Sequence, residues 1–235
     1  MQSHYWETRQ SMTPEKSLLY LQEGNDRFLK NIRINRNLIE LVGETSKEQF
    51  PFATILSCSD SRVSPTLIFD QGLGDIFSIR LAGNIASTNA IGSMEYACAV
   101  LGSKLVVVLG HTNCGAIKGA CDNITLGNLT ELIEHIRFSL HRETVTPADQ
   151  RNSKNTAFVN HVSELNVLHN IEIILEKSSI IRDLIQNNEI NIVGAMYCIE
   201  TGKVNFFEVD AHQIIDLMFA NPVHSALYQH EFTTD

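Results

Sequence analysis

The chain has 235 residues, 43% of them hydrophobic and 19% charged, which is enough apolar mass for a sizeable core and argues against wholesale disorder. A formal charge of −9, from 27 acidic against 18 basic side chains, argues against a general nucleic-acid binder, because such binding rests on Lys and Arg neutralising phosphates. The N-terminal stretch 1–30 is polar and without the apolar core of a signal peptide, and no apolar run is long enough to span a bilayer. A cytoplasmic protein with no membrane partner is the expectation.

Thr13-Pro14-Glu15 reads as a helix N-cap followed by proline at the first helical position. It opens a helical arm over about 13–32 with Leu18, Leu21, Phe28, Leu29 and Ile32 on one side. That stripe precedes every strand, so it must pack on a sheet built later, its own or a partner's. Four short apolar runs rich in strand formers follow: Phe52–Ser57, Asp75–Arg80, Lys104–Leu109 and Ile190–Tyr197. Ile91–Leu101, Leu126–Leu140 and Thr156–Leu175 carry helical spacing, the last through Phe158, Val162, Leu165, Leu168, Ile171 and Leu175. Glu143–Asn155 is a polar loop, Val204–Val209 an edge strand after the Thr201-Gly202 turn, and Ile214–Phe219 a last helix stopped before Pro222. Strands alternating with helices predict right-handed crossovers. The expected fold is one α/β domain over 1–235, a mainly parallel sheet of four strands plus an edge strand, flanked by helices.

Five cysteines, at 58, 98, 114, 121 and 198, are too few and odd in number for a disulfide framework. Two of them stand in motifs placed directly after strands. Cys58-Ser59-Asp60-Ser61-Arg62 follows the first run, and His111-Thr112-Asn113-Cys114-Gly115 follows the third. Open parallel sheets bind ligands at the carboxyl ends of their strands, so adjacent strands would bring both loops to one crevice. Two thiolates and an imidazole suit zinc, and three protein ligands leave a fourth position for water, as catalytic sites require. Cys98, Cys121 and Cys198 are expected to be structural thiols, and His135, His141, His161 and His169 to be surface or interface residues. Gly72-x-Gly74 precedes a strand, and Gly110 to Gly119 lacks a Gly-Lys-Ser/Thr ending, so neither reads as a nucleotide loop.

CSDSR with a downstream HTNCG resembles the β-class carbonic anhydrases. The resemblance extends through EGNDRF, QFPFATILSCSDSRV, IFDQGLGDIF, IRLAGN, GSMEYA and VVVLGHTNCGA, and more loosely through VGAMYCIETGKV. It implies zinc-dependent, reversible hydration of carbon dioxide to bicarbonate and a proton by hydroxide generated at the metal. One zinc per chain would be held by Cys58, His111 and Cys114. Asp60, held by Arg62, would accept a hydrogen bond from the nucleophile, although in this family the same aspartate can instead take the fourth zinc position. Gln49, Phe77 and Tyr96 match the substrate pocket of the permanently open type, and Gly115 is expected to bind substrate beside them. The bicarbonate-regulated type has tryptophan where this chain has Ile55, which disfavours that mode although Arg80 and Tyr197 fit the rest of its pocket. The resemblance also implies a homodimer, or a dimer of dimers, with the N-terminal helix packed on the partner subunit. Hydrolysis of carbonyl sulfide or carbon disulfide at the same metal, a non-catalytic zinc protein in which the metal serves assembly, and a thiol-redox role for Cys114 are the competing functions.

Overall fold

The computed structural model describes residues 11–220. Thr13 caps α1 (Pro14–Leu29) by accepting the Lys16 N–H, as its position before proline predicts. Then come α2 (Leu38–Thr45), β1 (Ala53–Ser57), α3 (Pro65–Ile68), β2 (Ile76–Arg80) and α4 (Thr88–Glu95). A wider turn of π type, Tyr96–Val100, continues α4, and its last N–H, from Leu101, reaches the Tyr96 carbonyl. β3 (Leu105–His111), α5 (Gly115–Cys121), α6 (Asn128–Arg142), α7 (Thr156–Lys177), α8 (Ser179–Gln186), β4 (Asn191–Tyr197), β5 (Val204–Glu208) and α9 (Ala211–Ala220) follow among the described residues. Pro222, expected to stop the last helix, lies outside the described residues.

All five strands form one sheet in the order β2-β1-β3-β4-β5, with β1 to β4 parallel and β5 antiparallel on the edge. β1 and β3 are buried along their whole length, which is why both read as unbroken apolar runs. β2 at the opposite edge is half-buried or exposed throughout.

Three packed clusters build the core. One face of the sheet takes α4, α7, α8 and α9 through side chains such as Met94, Ile171, Ile181 and Ile215. The other takes Leu21 of α1 and Ile68 of α3, packed with Phe69. The third lies beyond the carboxyl ends of β1 and β3, where Ile117 of α5, Ile133 and Ile136 of α6 and Phe158 of α7 surround Cys58 and Cys114. α7 touches β3, β4, α5, α6, α8 and α9, so its burial goes beyond the expected stripe: Val159, Val167 and Ile174 are fully buried, while Leu165 and Leu168 are only partly so.

The N-terminal helix packs on its own chain through Leu21, while Leu19, Leu29 and Ile32 stay exposed. Asp70 fastens that end of the molecule, accepting from Arg27 Nε at 2.6 Å and Arg36 Nη1 at 2.9 Å. Among the described residues no helix is long and apolar enough to cross a membrane.

Candidate active site

The chain leaves β1 for β2 on one side and returns to β3 on the other, so the sheet's order reverses between β1 and β3. That is the switch point at which open α/β sheets hold ligands. Ser57 at the end of β1 pairs with Leu109 of β3, and the loops that leave these strands carry Cys58 and Cys114. His111 closes β3 itself, two residues beyond the apolar run, because it pairs with Tyr197 of β4.

The ligand atoms of Cys58, His111 and Cys114 all lie within 4.8 Å of one another, and all three residues are buried. The two sulfurs are 3.9 Å apart, and all five cysteines are free. A disulfide requires about 2.05 Å. Two sulfurs each about 2.3 Å from a tetrahedral zinc would stand about 3.8 Å apart, so the observed spacing is that of co-ligands. His111 Nδ1 lies 3.0 Å from its neighbour Thr112's carbonyl oxygen, which takes the ring N–H and leaves the lone pair on Nε2. That Nε2 is buried without a hydrogen-bond partner. An orphaned buried acceptor costs about 1–3 kcal/mol unless something ligates it. The donor set and this free lone pair fit zinc.

The electrostatics agree. A hydrogen bond from Cys114, helped by the amides of Asp60 and Gly83, outweighs burial and lowers the Cys58 thiol well below its ordinary range. Its bond to Cys58, burial and the Cys58 charge push Cys114 up. A divalent cation held here would take both sulfurs as thiolates, so its binding would release the remaining thiol proton.

Backbone contacts fix both loops. Gly83, with φ 69° in the left-handed region that favours glycine, donates its N–H to Cys58 Sγ at 3.4 Å. Arg80 donates from Nε to the Cys58 carbonyl at 3.3 Å and from Nη2 to the Asp60 carbonyl at 2.7 Å. The Thr112 N–H donates to Tyr197 O at 2.9 Å, and Thr112 Oγ1 accepts the Ile199 N–H at 3.1 Å. The Asn113 N–H donates to Asn160 Oδ1 at 3.0 Å.

Asp60 and Arg62 form the expected pair. Arg62 Nε donates to Oδ1 at 2.9 Å, Nη2 to Oδ2 at 2.8 Å, and the Arg62 N–H to Oδ1 at 3.0 Å. These bonds hold the Asp60 carboxyl well below the usual carboxylate range. Gln49 is exposed after α2 and, with Leu73, Tyr96 and Val100, lines an open pocket of about 760 Å³ that none of the three metal-site residues lines. Tyr96 starts the π turn and is 47% exposed, with its ring 6.2 Å from that of Phe77, which is half-buried on β2. Gly115 is exposed as the first residue of α5, with open space over it. Within one chain, then, the Cys58–His111–Cys114 group and the Asp60–Arg62 ion pair are each assembled, whereas Gln49 and Tyr96 line a surface pocket.

Of the other cysteines, burial pushes Cys98 up to about 12 and Cys121 to about 11, consistent with structural thiols. Cys198 differs: it is only partly buried, and a hydrogen bond with Thr201 lowers it. His141 is exposed as expected, and His135 and His161 are partly so. His169 is buried, contrary to expectation, because its ring stacks on Phe138 at 4.2 Å while Nδ1 faces Glu172 at 3.6 Å. The role of Arg80 as a loop clamp and the amides of Asn160 and Gly83 were not anticipated. Amide groups placed on backbone leave no spacing pattern, though asparagine recurring inside an apolar helix is a signal worth reading.

A profile of the family described as carbonic anhydrase matches residues 53–204. Carbonic anhydrase 2 of Mycobacterium tuberculosis is 33% identical over 193 residues, which cover 78% of this chain and 87% of the relative. Carbonic anhydrase of Pseudomonas aeruginosa is 29% identical over 184 residues, 76% of this chain and 83% of the relative. Among solved structures, a tetrameric β-carbonic anhydrase of Sordaria macrospora superposes with a TM-score of 0.63 at 26% identity, over 73% of this chain and 87% of that one. The β-carbonic anhydrase CafA of Aspergillus fumigatus shares the fold, with a TM-score of 0.68 at 24% identity over 88% and 96% of the two chains. With its zinc-type ligand set at the switch point of that same fold, the chain belongs to the carbonic anhydrase family, as a member of the β class.

Proposed function

We propose that the protein catalyses the reversible hydration of carbon dioxide to bicarbonate and a proton, with one zinc per chain held by Cys58 Sγ, Cys114 Sγ and His111 Nε2. The observation that carries this reading is the pair of sulfurs 3.9 Å apart beside a buried, unpartnered imidazole nitrogen. When bound, zinc supplies Lewis-acid chemistry, lowering the pKa of a water from about 15.7 towards about 7 so that a nucleophile exists near neutral pH.

The chain's own residues do the rest. Asp60 accepts the nucleophile's proton in a hydrogen bond and so turns a lone pair toward the substrate carbon. It can do this because Arg62 keeps the carboxylate ionised and held in place. Arg80 and the Gly83 amide keep the loop that carries Cys58 and Asp60 from shifting. Phe77 and Tyr96 offer aromatic surface suited to a small apolar substrate, while Gln49 and the first turn of α5 at Gly115 offer polar groups to bicarbonate.

Since Gln49 and Tyr96 line a surface pocket rather than the metal group of their own chain, a second copy completes the substrate site. The exposed Leu38, Ile39 and Val42 of α2, the exposed Leu19 and Leu29 of α1, and the edge of β2 left unpaired among the described residues support a homodimer. A dimer of dimers is the larger assembly this reading allows.

Stopped-flow carbon dioxide hydration by zinc-replete protein tests the proposal. Hydration should be lost on chelation and restored by zinc. Stoichiometric zinc with no proton release above the buffer rate, across neutral and alkaline pH, would leave a zinc protein of assembly and remove the enzyme.

A further inference from the structure

Helix α7 spends three asparagines on contacts that leave the helix. Asn160 Oδ1 accepts the Asn113 N–H at 3.0 Å, Asn166 Nδ2 donates to the Gly83 carbonyl at 2.8 Å, and Asn170 Oδ1 accepts the Ala86 N–H at 2.6 Å. Asn166 and Asn170 are 0% and 2% exposed. Asparagine is a poor residue for a helix interior, and burying its amide is costly unless each polar atom is met. Packing alone would favour an apolar side chain here, as at Val162, Val167 and Ile171 on the same helix.

The contacts converge on the metal centre. Gly83, whose carbonyl Asn166 holds, is the residue whose N–H donates to Cys58 Sγ at 3.4 Å. Asn113, whose N–H Asn160 takes, lies between His111 and Cys114 with φ 59°. It therefore turns the chain from one ligand to the next through a conformation that most residues avoid. Asn170 steadies the same arrangement, donating from Nδ2 to the Asn166 carbonyl at 2.7 Å.

We infer that Asn166 and Asn160 are positioning residues of the metal centre. Asn166 holds the Gly83 residue so that its N–H reaches the Cys58 sulfur, and Asn160 holds the turn that presents His111 and Cys114 together. This rests on the zinc reading given above. Outer-shell partners of metal ligands change metal affinity by about 10–100-fold when removed, and an N–H bond to a thiolate also draws charge from the sulfur. A purely structural asparagine would change the melting temperature without changing either property.

The test uses the full chain. Asn166→Asp keeps the side-chain shape and the oxygen that accepts from Ser139 Oγ at 3.4 Å, but it removes the N–H that meets Gly83. Ser139→Ala removes only the former contact. Zinc affinity is read by competition with a chelator, and the sulfur's electronic state by the thiolate-to-cobalt charge-transfer band of cobalt-substituted protein. Asn166→Asp should weaken zinc by at least about tenfold and move the band to longer wavelength, while Ser139→Ala leaves both at the wild-type values. Wild-type affinity and an unmoved band in Asn166→Asp overturn the inference, whatever its melting temperature. If that variant does not fold, Asn160→Ala decides with the same two readouts, since its side chain is only half-buried. Unchanged values there are equally fatal. A wild-type chain that takes up no zinc at all would instead remove the zinc reading, and this inference with it.

Discussion

Gly110 stands between the end of the apolar run and His111, and α7 crosses β3 directly over it. A Cβ built there would lie 2.6 Å from Val167 Cγ2 and 2.7 Å from Met196 Sδ, with the Ser163 carbonyl oxygen 3.6 Å away. Both shorter distances are below what carbon atoms in folded proteins tolerate. Met196 can give way, because an unbranched side chain adapts. Val167 cannot, being fully buried, β-branched and confined to one rotamer in a helix. Gly110→Ala must therefore lift α7 from β3 or bend the strand beside His111. Overpacking of this kind costs about 1–3 kcal/mol, and the rigidity of Val167 puts it in the upper half of that range. At about 2–4 °C per kcal/mol for a chain of this size, the melting temperature should fall by about 4–12 °C. Val167→Ala alone opens a cavity and costs about 2 kcal/mol. In the double variant the new methyl fills that cavity, so the double should be more stable than the sum of the singles by at least about 1 kcal/mol. Urea unfolding of the four proteins measures this. Additivity within about 0.5 kcal/mol would refute the contact argument. Gly92→Ala in α4, with nothing within 4 Å of its added carbon, is the control and should be neutral or slightly stabilising.

Asp60→Asn should retain one zinc per chain yet lose at least about tenfold in hydration rate, by stopped-flow assay; an unchanged rate removes Asp60 from the mechanism. Gln49→Ala should lower turnover at full zinc occupancy, and an unaltered rate would make Gln49 loop structure only. Asp70→Asn leaves Arg27 and Arg36 without their carboxylate and should cost about 2–3 kcal/mol at pH 7, below the usual value for a buried pair because both guanidiniums are partly exposed. Burial raises the Asp70 carboxyl, but the hydrogen bonds from Arg27 and Arg36 outweigh it and hold the pKa below its ordinary value. A lowered carboxyl stabilises the fold above the unfolded-state pKa of about 3.9 and loses that contribution as pH falls through the folded one. The melting-temperature gap between wild type and Asp70→Asn should therefore be full at pH 7 and close below about pH 4; a constant gap would contradict the ion pair.

The sheet was legible in the sequence because parallel strands covered on both faces must be apolar throughout, as Leu105 to Leu109 are. The order of strands was not, since no run of valines states its neighbour. It was the placement of Cys58 and His111 after two different strands that required those strands to be adjacent. Short helices left little trace. α3 has four residues and no room for periodicity, while α2 exposes Leu38, Ile39 and Val42 rather than burying a stripe. α8 follows α7 with only Ser178 between them, ending one helix and capping the other. His169 misled because a polar residue on a helix is usually exposed, whereas Phe138 and Glu172 give this one a buried niche. At the site, the Cys58, His111 and Cys114 group and the Asp60–Arg62 pair announce themselves by residue type and spacing. The groups that hold them, such as the Gly83 N–H and the Thr112 carbonyl, belong to the backbone and have no residue type to read.

X-ray absorption at the zinc edge of the purified protein tests the central claim most directly. Two sulfurs at about 2.3 Å together with two nitrogen or oxygen neighbours at about 2.0–2.1 Å are the predicted shell. Fewer than two sulfurs would show that Cys58 and Cys114 do not share the ion, and three or four would show a closed structural site in place of one open to solvent.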